Sequence, residues 1–108
     1  MNATNAAAAQ VGEVSGTDVY YAGGGKAYSG SRGIGGTSAS NSSTASPNTG
    51  AGGAVAVSYN VSSYAGSGVV ILRMPTNGYS GVTTGSPSVY VEGSHTILVY
   101  KTSGTYTD

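Results

Sequence analysis

Apolar and polar positions along this chain follow strand-like stretches, and the pattern sharpens towards the C-terminal half. Gly68-Val69-Val70-Ile71-Leu72-Arg73-Met74 is an apolar run of strand length closed by Pro75. Such a run predicts a strand buried on both faces. Ser88 to Glu92 sets Val89 and Val91 on one face, meets Gly93-Ser94 and returns as His95-Thr96-Ile97-Leu98-Val99-Tyr100-Lys101. That is the signature of a hairpin closed by a two-residue turn. A second turn at Thr102-Ser103-Gly104 leads to Thr105-Tyr106-Thr107, so the C-terminus reads as a three-strand antiparallel meander. Thr17 to Ala22, dense in β-formers and ended by Gly23-Gly24-Gly25, predicts one more strand, and Ala54 to Tyr59 alternates Ala with Val.

The single helical signal lies in the leader, where Asn5 caps a short helix over Ala6 to Val11. Helices of that length are marginal in water by themselves. Residues 1–16 are therefore expected to be a flexible arm, or an arm that docks on a neighbouring subunit, and residues 17–108 a single glycine-rich β module. Between Gly23 and Gly53 there are 10 Gly in 31 residues, and Ile34 is the sole large aliphatic. Two readings stand for this Gly/Ser-rich extended segment: a loop longer than compact domains tolerate, or extended backbones packed where Cβ atoms would clash.

Composition bears on how such strands hold together. Gly, Ser, Thr and Asn make up half of the 108 residues, while Val, Ile and Leu contribute 17 and Phe none. The core is thin. Four cations (Lys26, Arg32, Arg73, Lys101) balance four anions (Glu13, Asp18, Glu92, Asp108), so nothing holds an open chain apart. Small chains with little core gain stability from disulfides, metals or oligomerisation. With no Cys and one His, oligomerisation is the expected route. The fold class is thus an all-β, small antiparallel strand-rich module that oligomerises, and Ile71→Asp is expected to be far more damaging than any single charge reversal, because it puts an unpaired charge in the most apolar strand.

The same counts bear on chemistry. Four dispersed cations cannot neutralise a phosphate backbone, so a nucleic-acid partner is not expected. Ala6 to Ala9 is too short for a signal core or a membrane span. Gly23-Gly24-Gly25-Lys26 fails the phosphate-loop pattern, because Tyr20 stands where the first Gly belongs and Ala27 follows the Lys. No Gly-x-Ser-x-Gly elbow occurs, and His95 is the one histidine a triad would have to recruit. No two of His95, Asp18, Glu92 and Asp108 have the spacing of a chelating pair. No catalytic residue, metal or cofactor is expected.

Nine Tyr with neither Phe nor Trp is a skew with physical content, since Tyr combines a large rigid contact area with a polar tip. Tyr20, Tyr21, Tyr28, Tyr79, Tyr90 and Tyr100 are the candidates for subunit or glycan contact. The alternative is that most of them are half-buried strand residues.

Val19 to Gly25 as a strand entering Ala-Gly-Gly-Gly, then Asn48 to Gly53, then Gly66-Ser67-Gly68-Val69-Val70-Ile71-Leu72-Arg73 resembles the glycine-rich modules of bacteriophage tail fibres and related virion proteins. The ending His95 to Thr107 is similar to the C-terminal part of those modules. The resemblance implies a non-enzymatic protein of the virion surface, commonly a homotrimer, that contacts other virion proteins and, in some members, host receptors. Taken as a whole gene product the chain has no long shaft, which puts a capsid or tail decoration (cement) protein beside a fibre tip. The alternative function is an adhesin tip that recognises host cell-surface glycans.

Overall fold

The computed structural model describes residues 1–25, 45–53 and 64–108. Tyr28, the stretch Ala54 to Tyr59 and the middle of the glycine-rich segment lie outside them. The described residues form one short helix, α1 (Ala3–Ala9), and seven strands: β1 (Glu13–Ser15), β2 (Asp18–Tyr20), β3 (Val70–Pro75), β4 (Val82–Thr83), β5 (Ser88–Glu92), β6 (His95–Tyr100) and β7 (Tyr106–Thr107). They pair in three small antiparallel sheets, β1-β2, β3-β6-β5 and β4-β7. The architecture is strand-dominated, in keeping with an all-β chain.

The hairpin expected at Gly93-Ser94 is present, with Glu92 opposite His95 and Ser88 opposite Val99. Gly93 takes φ +59°, a conformation that costs glycine nothing and most residues about 1 kcal/mol. β6 then lies between β5 and β3, and every residue from Thr96 to Tyr100 is buried. The strand buried on both faces is therefore β6. The run at 68–74 forms β3 instead, at the edge of this sheet, with Val70 56% exposed. An apolar run reports burial but not which strand will have two neighbours.

The expected C-terminal meander also pairs differently. β7 joins β4, Thr83 opposite Tyr106, because β3 already occupies the free edge of β6. The Tyr100 hydroxyl donates to the Thr105 carbonyl at 2.7 Å and ties the intervening turn back on itself.

Helix α1 starts three residues before the expected position. Asn2, not Asn5, is the cap: its Oδ1 accepts from the Asn5 amide at 2.8 Å. Gln10, in the left-handed region, ends the helix. Residues 1–16, expected as an arm, pack on the chain's own sheet. Ala6, Ala9 and Val11 form a buried cluster with Ile97 and Val99, against which Val19, Tyr21, Ile71 and Tyr90 also pack. Seven residues do not hold a helix by propensity; this apolar contact does.

Polar clamps at both ends add to it. At the N-terminal end Glu92 Oε1 accepts from the Asn2 amide at 2.7 Å and from Asn5 Nδ2 at 2.8 Å, and at the other end Lys101 Nζ donates to the Ala9 carbonyl at 3.0 Å. Acid at the start and base at the end match the helix dipole. Burial alone would raise the Glu92 pKa, but the Asn2 and Asn5 hydrogen bonds, with the Met1 ammonium and Arg73, outweigh it and hold the carboxyl below its ordinary value. A carboxyl lowered on folding contributes stability above its unfolded pKa, and loses it as pH falls through the folded one. We expect Glu92→Gln to lower stability by about 1 kcal/mol at neutral pH. Thermal melts from pH 7 down to about pH 3 check this: the parent loses stability below about pH 4, and the gap between parent and variant narrows there.

The described flanks of the glycine-rich segment are joined by backbone hydrogen bonds. The Ala22 amide donates to the Thr49 carbonyl, Thr49 to Ser67, Gly52 to Gly23 and Gly66 to Ala51, at 2.8–2.9 Å. Strand β2 is thereby connected through residues 48–52 to the chain that enters β3.

Candidate functional site

Register divides the β3-β6-β5 sheet into two unlike faces. Ile71, Arg73, Ile97, Val99, Tyr90 and Glu92 alternate onto one face, and α1 covers it. Val70, Leu72, Met74, Thr96, Leu98, Tyr100, Val89 and Val91 occupy the other. No member of this second set carries a charge. Leu98, at its centre, is fully buried, flanked across the strands by Leu72 and Val89. Thr96 Oγ1 donates to Thr76 Oγ1 at 3.1 Å, so its hydroxyl is satisfied inside the fold.

The exposed members of this set are on the two outer strands. Val70, Val89 and Val91 are 56%, 46% and 64% exposed. Burying a Val fully is worth about 1.5–3 kcal/mol, so each leaves about 1 kcal/mol unrealised while the face stays wet. Single exposed valines need no explanation, and the buried Thr96, Leu98 and Tyr100 of β6 separate Val70 from Val89 and Val91. At the Tyr100 end this face borders a cleft of about 210 Å³ between Val70, Leu72, Tyr100, Tyr106 and the turn Thr102–Gly104.

The tyrosines singled out by sequence are dispersed. Tyr20 lies on the β1-β2 hairpin, 37% exposed, with its hydroxyl 3.5 Å from Asp18 Oδ2. Tyr21 packs against the buried cluster, and its hydroxyl is buried without a hydrogen-bond partner among the described residues; burial pushes its phenol pKa up. Tyr90 lies against the same cluster. Tyr100 is buried and spends its hydroxyl on Thr105. Tyr79 stacks on Tyr106, ring centroids 6.0 Å apart and planes 21° from parallel, while the Tyr106 hydroxyl donates to the Gly78 carbonyl. Tyr28 is outside the described residues. Of the five described candidates, then, Tyr21, Tyr90 and Tyr100 pack within the chain, and Tyr79 pairs with a residue the sequence reading did not select.

His95 sits at the far end of β6, with Ser94 Oγ 3.3 Å from Nδ1, beside a shallow hollow lined by Pro75, Thr76 and Asn77. Among the described residues no three His, Asp or Glu side chains gather as metal ligands would, and no helix is long and apolar enough to cross a membrane.

No family model matches the chain, and neither does any curated sequence or solved structure. Among the described residues the distinctive feature is the uncharged sheet face with exposed valines on its outer strands. Val89 and Val91 carried a signal for it, since their alternation marks one apolar side of β5.

Proposed function

We propose that the protein is a non-enzymatic structural component of a bacteriophage particle, a strand-rich module that assembles on the virion surface as part of a fibre, tail or capsid decoration. The observation that carries this reading is the uncharged second face of the β3-β6-β5 sheet, with Val70, Val89 and Val91 exposed on its outer strands. A surface of this kind serves packing and offers no group for proton transfer, nucleophilic attack or metal binding. The strand order Gly-Ser-Gly-Val-Val-Ile-Leu-Arg, with its resemblance to virion modules, supports placing that packing in a phage particle.

The test is co-purification. Gradient-purified particles of the phage that encodes the chain contain it in a fixed stoichiometry to the major capsid protein, read by quantitative mass spectrometry. Absence of the chain from those particles overturns the proposal. A glycan array separates the adhesin reading: a virion packing module gives no specific hit, whereas an adhesin tip binds a defined glycan class.

A further inference from the structure

We infer that Asn77 is a site of spontaneous covalent modification, where the chain's own backbone converts the carboxamide to aspartate and isoaspartate and thereby loosens the β4-β7 ribbon. The inference is independent of the virion reading. Sequence narrows the choice first. Of the six Asn, Asn77 alone precedes Gly; the others precede Ala, Ser, Thr or Val. The reaction needs the amide nitrogen of the following residue to reach the Asn Cγ, and a Cβ on that residue obstructs the approach.

Structure separates the described Asn residues further. Asn2 Oδ1 accepts from the Asn5 amide, Asn5 Nδ2 donates to Glu92, and the Asn48 carboxamide is held through Gln10 and Ser67. The Asn77 carboxamide makes no hydrogen bond among the described residues. Asn77 and Gly78 are both exposed, and Asn77 lines the shallow hollow beside Ser94 and His95, so water reaches the site. They lie in a single 3-10 turn, Thr76–Gly78, closed by the Tyr79 amide donating to the Thr76 carbonyl at 3.2 Å. One such turn has poor hydrogen-bond geometry and opens at small cost. Nothing stands within 4 Å of the place a Gly78 Cβ would take, so the peptide has room to rotate.

In the reaction the Gly78 nitrogen loses its proton to solvent and bonds to Asn77 Cγ. The Cγ–Nδ2 bond breaks, ammonia leaves with a proton from solvent, and a five-membered imide closes. Water then opens the ring. Breaking the new Cγ–N bond leaves Asp in an ordinary backbone, whereas breaking the original peptide bond leaves isoaspartate, with the main chain running through Cγ. The balance is one water consumed and one ammonia released, with nothing oxidised or reduced. Isoaspartate adds a methylene to the main chain directly before Gly78, whose carbonyl accepts from the Tyr106 hydroxyl at 3.2 Å. Tyr79 stacks on Tyr106, and Ser80 Oγ donates to the Thr107 carbonyl. Residues 78–80 thus hold β7 in place, and displacing them releases it.

Ageing the full chain at mildly alkaline pH tests this, with peptide mapping by a fragmentation that tells aspartate from isoaspartate. Exchange of the amide NH2 for OH is expected to accumulate first at Asn77, and an isoaspartyl methyltransferase labels the aged chain. Gly78→Ala, with open space for its Cβ, melts with the parent and reacts about tenfold more slowly. In the aged chain the Thr84 amide, bonded to the Thr105 carbonyl, exchanges its hydrogen about tenfold faster. Asn77→Asp, which has the charge without the added methylene, keeps the parent's protection there. An Asn77 that stays intact, or reacts after another Asn, overturns the inference, and so does a Gly78→Ala chain that reacts as fast as the parent. An isoaspartate-bearing chain with unchanged exchange at Thr84 overturns the coupling to the ribbon.

Discussion

Ile97→Ala is expected to lower stability by about 3–4 kcal/mol, within the usual range for truncating a fully buried Ile. Ile97 has no exposed surface and sits on the central strand, between Arg73 and Tyr90 across the sheet and beneath the Ala6, Ala9 and Val11 cluster. Alanine faces alanine there, so little side chain is available to refill the space. A chain of this length holds about 5–15 kcal/mol in total, and each kcal/mol lowers Tm by about 4–8 °C. The expected fall is therefore roughly 12–32 °C. Urea unfolding at one fixed protein concentration checks it, with a lower midpoint at an unchanged slope. Ile71→Ala, at a half-buried edge position, is expected to cost less than half as much. If Ile71 proved the more sensitive, the assignment of β6 as the central strand would be wrong. Alanine tests this better than Asp, because Arg73 stands opposite Ile97 and would partly neutralise an introduced carboxylate.

Gly85→Ala is expected to open the β4-β7 ribbon and leave the main sheet folded. Gly85 has φ +77°, and an added Cβ would meet the Ser103 carbonyl and come within 2.6 Å of Gly104 Cα. Both obstacles are backbone, so no rotamer change relieves them. The conformation alone costs about 1–3 kcal/mol for a residue with a Cβ. The contact adds to this. Beside it the Thr84 amide donates to the Thr105 carbonyl and the Thr105 amide to Thr84 Oγ1, each at 3.0 Å, and these bonds hold the two strands in register. Hydrogen exchange is expected to quicken about 100-fold at the Thr84 and Thr105 amides while the amides of β6 keep their protection. Gly81→Ala provides the comparison, since Gly81 has the same φ of +77° with nothing near its missing Cβ. Equal exchange in the two variants would show that the crowding at Gly85 has no consequence.

Particular elements show how far residue patterns reach. The β5-β6 hairpin was legible because Gly93-Ser94 separates two alternating runs, and two-residue turns set register by local geometry. The helix was displaced by three residues because its start depends on Glu92, far along the chain, holding the Asn2 amide. β3 and β6 exchanged the roles of edge and centre because both read as apolar strands. β7 went to β4 once β3 had taken the remaining edge of β6. For the candidate surface, Val89 and Val91 announced an apolar side. Their exposure follows from β5 being an outer strand, and the docking of α1 on the opposite face depends on contacts between residues some ninety positions apart.

Local backbone preference and two-residue periodicity, both properties of neighbouring positions, were enough to establish a strand-rich chain, its principal hairpin, its neutral charge and its scarcity of core. The order of strands, the docking of the leader helix and the choice of which strand is buried on both faces emerged from the folded arrangement. Each of these depends on competition between distant segments for the same edge or the same apolar surface, and that competition is resolved only when all of them are present together.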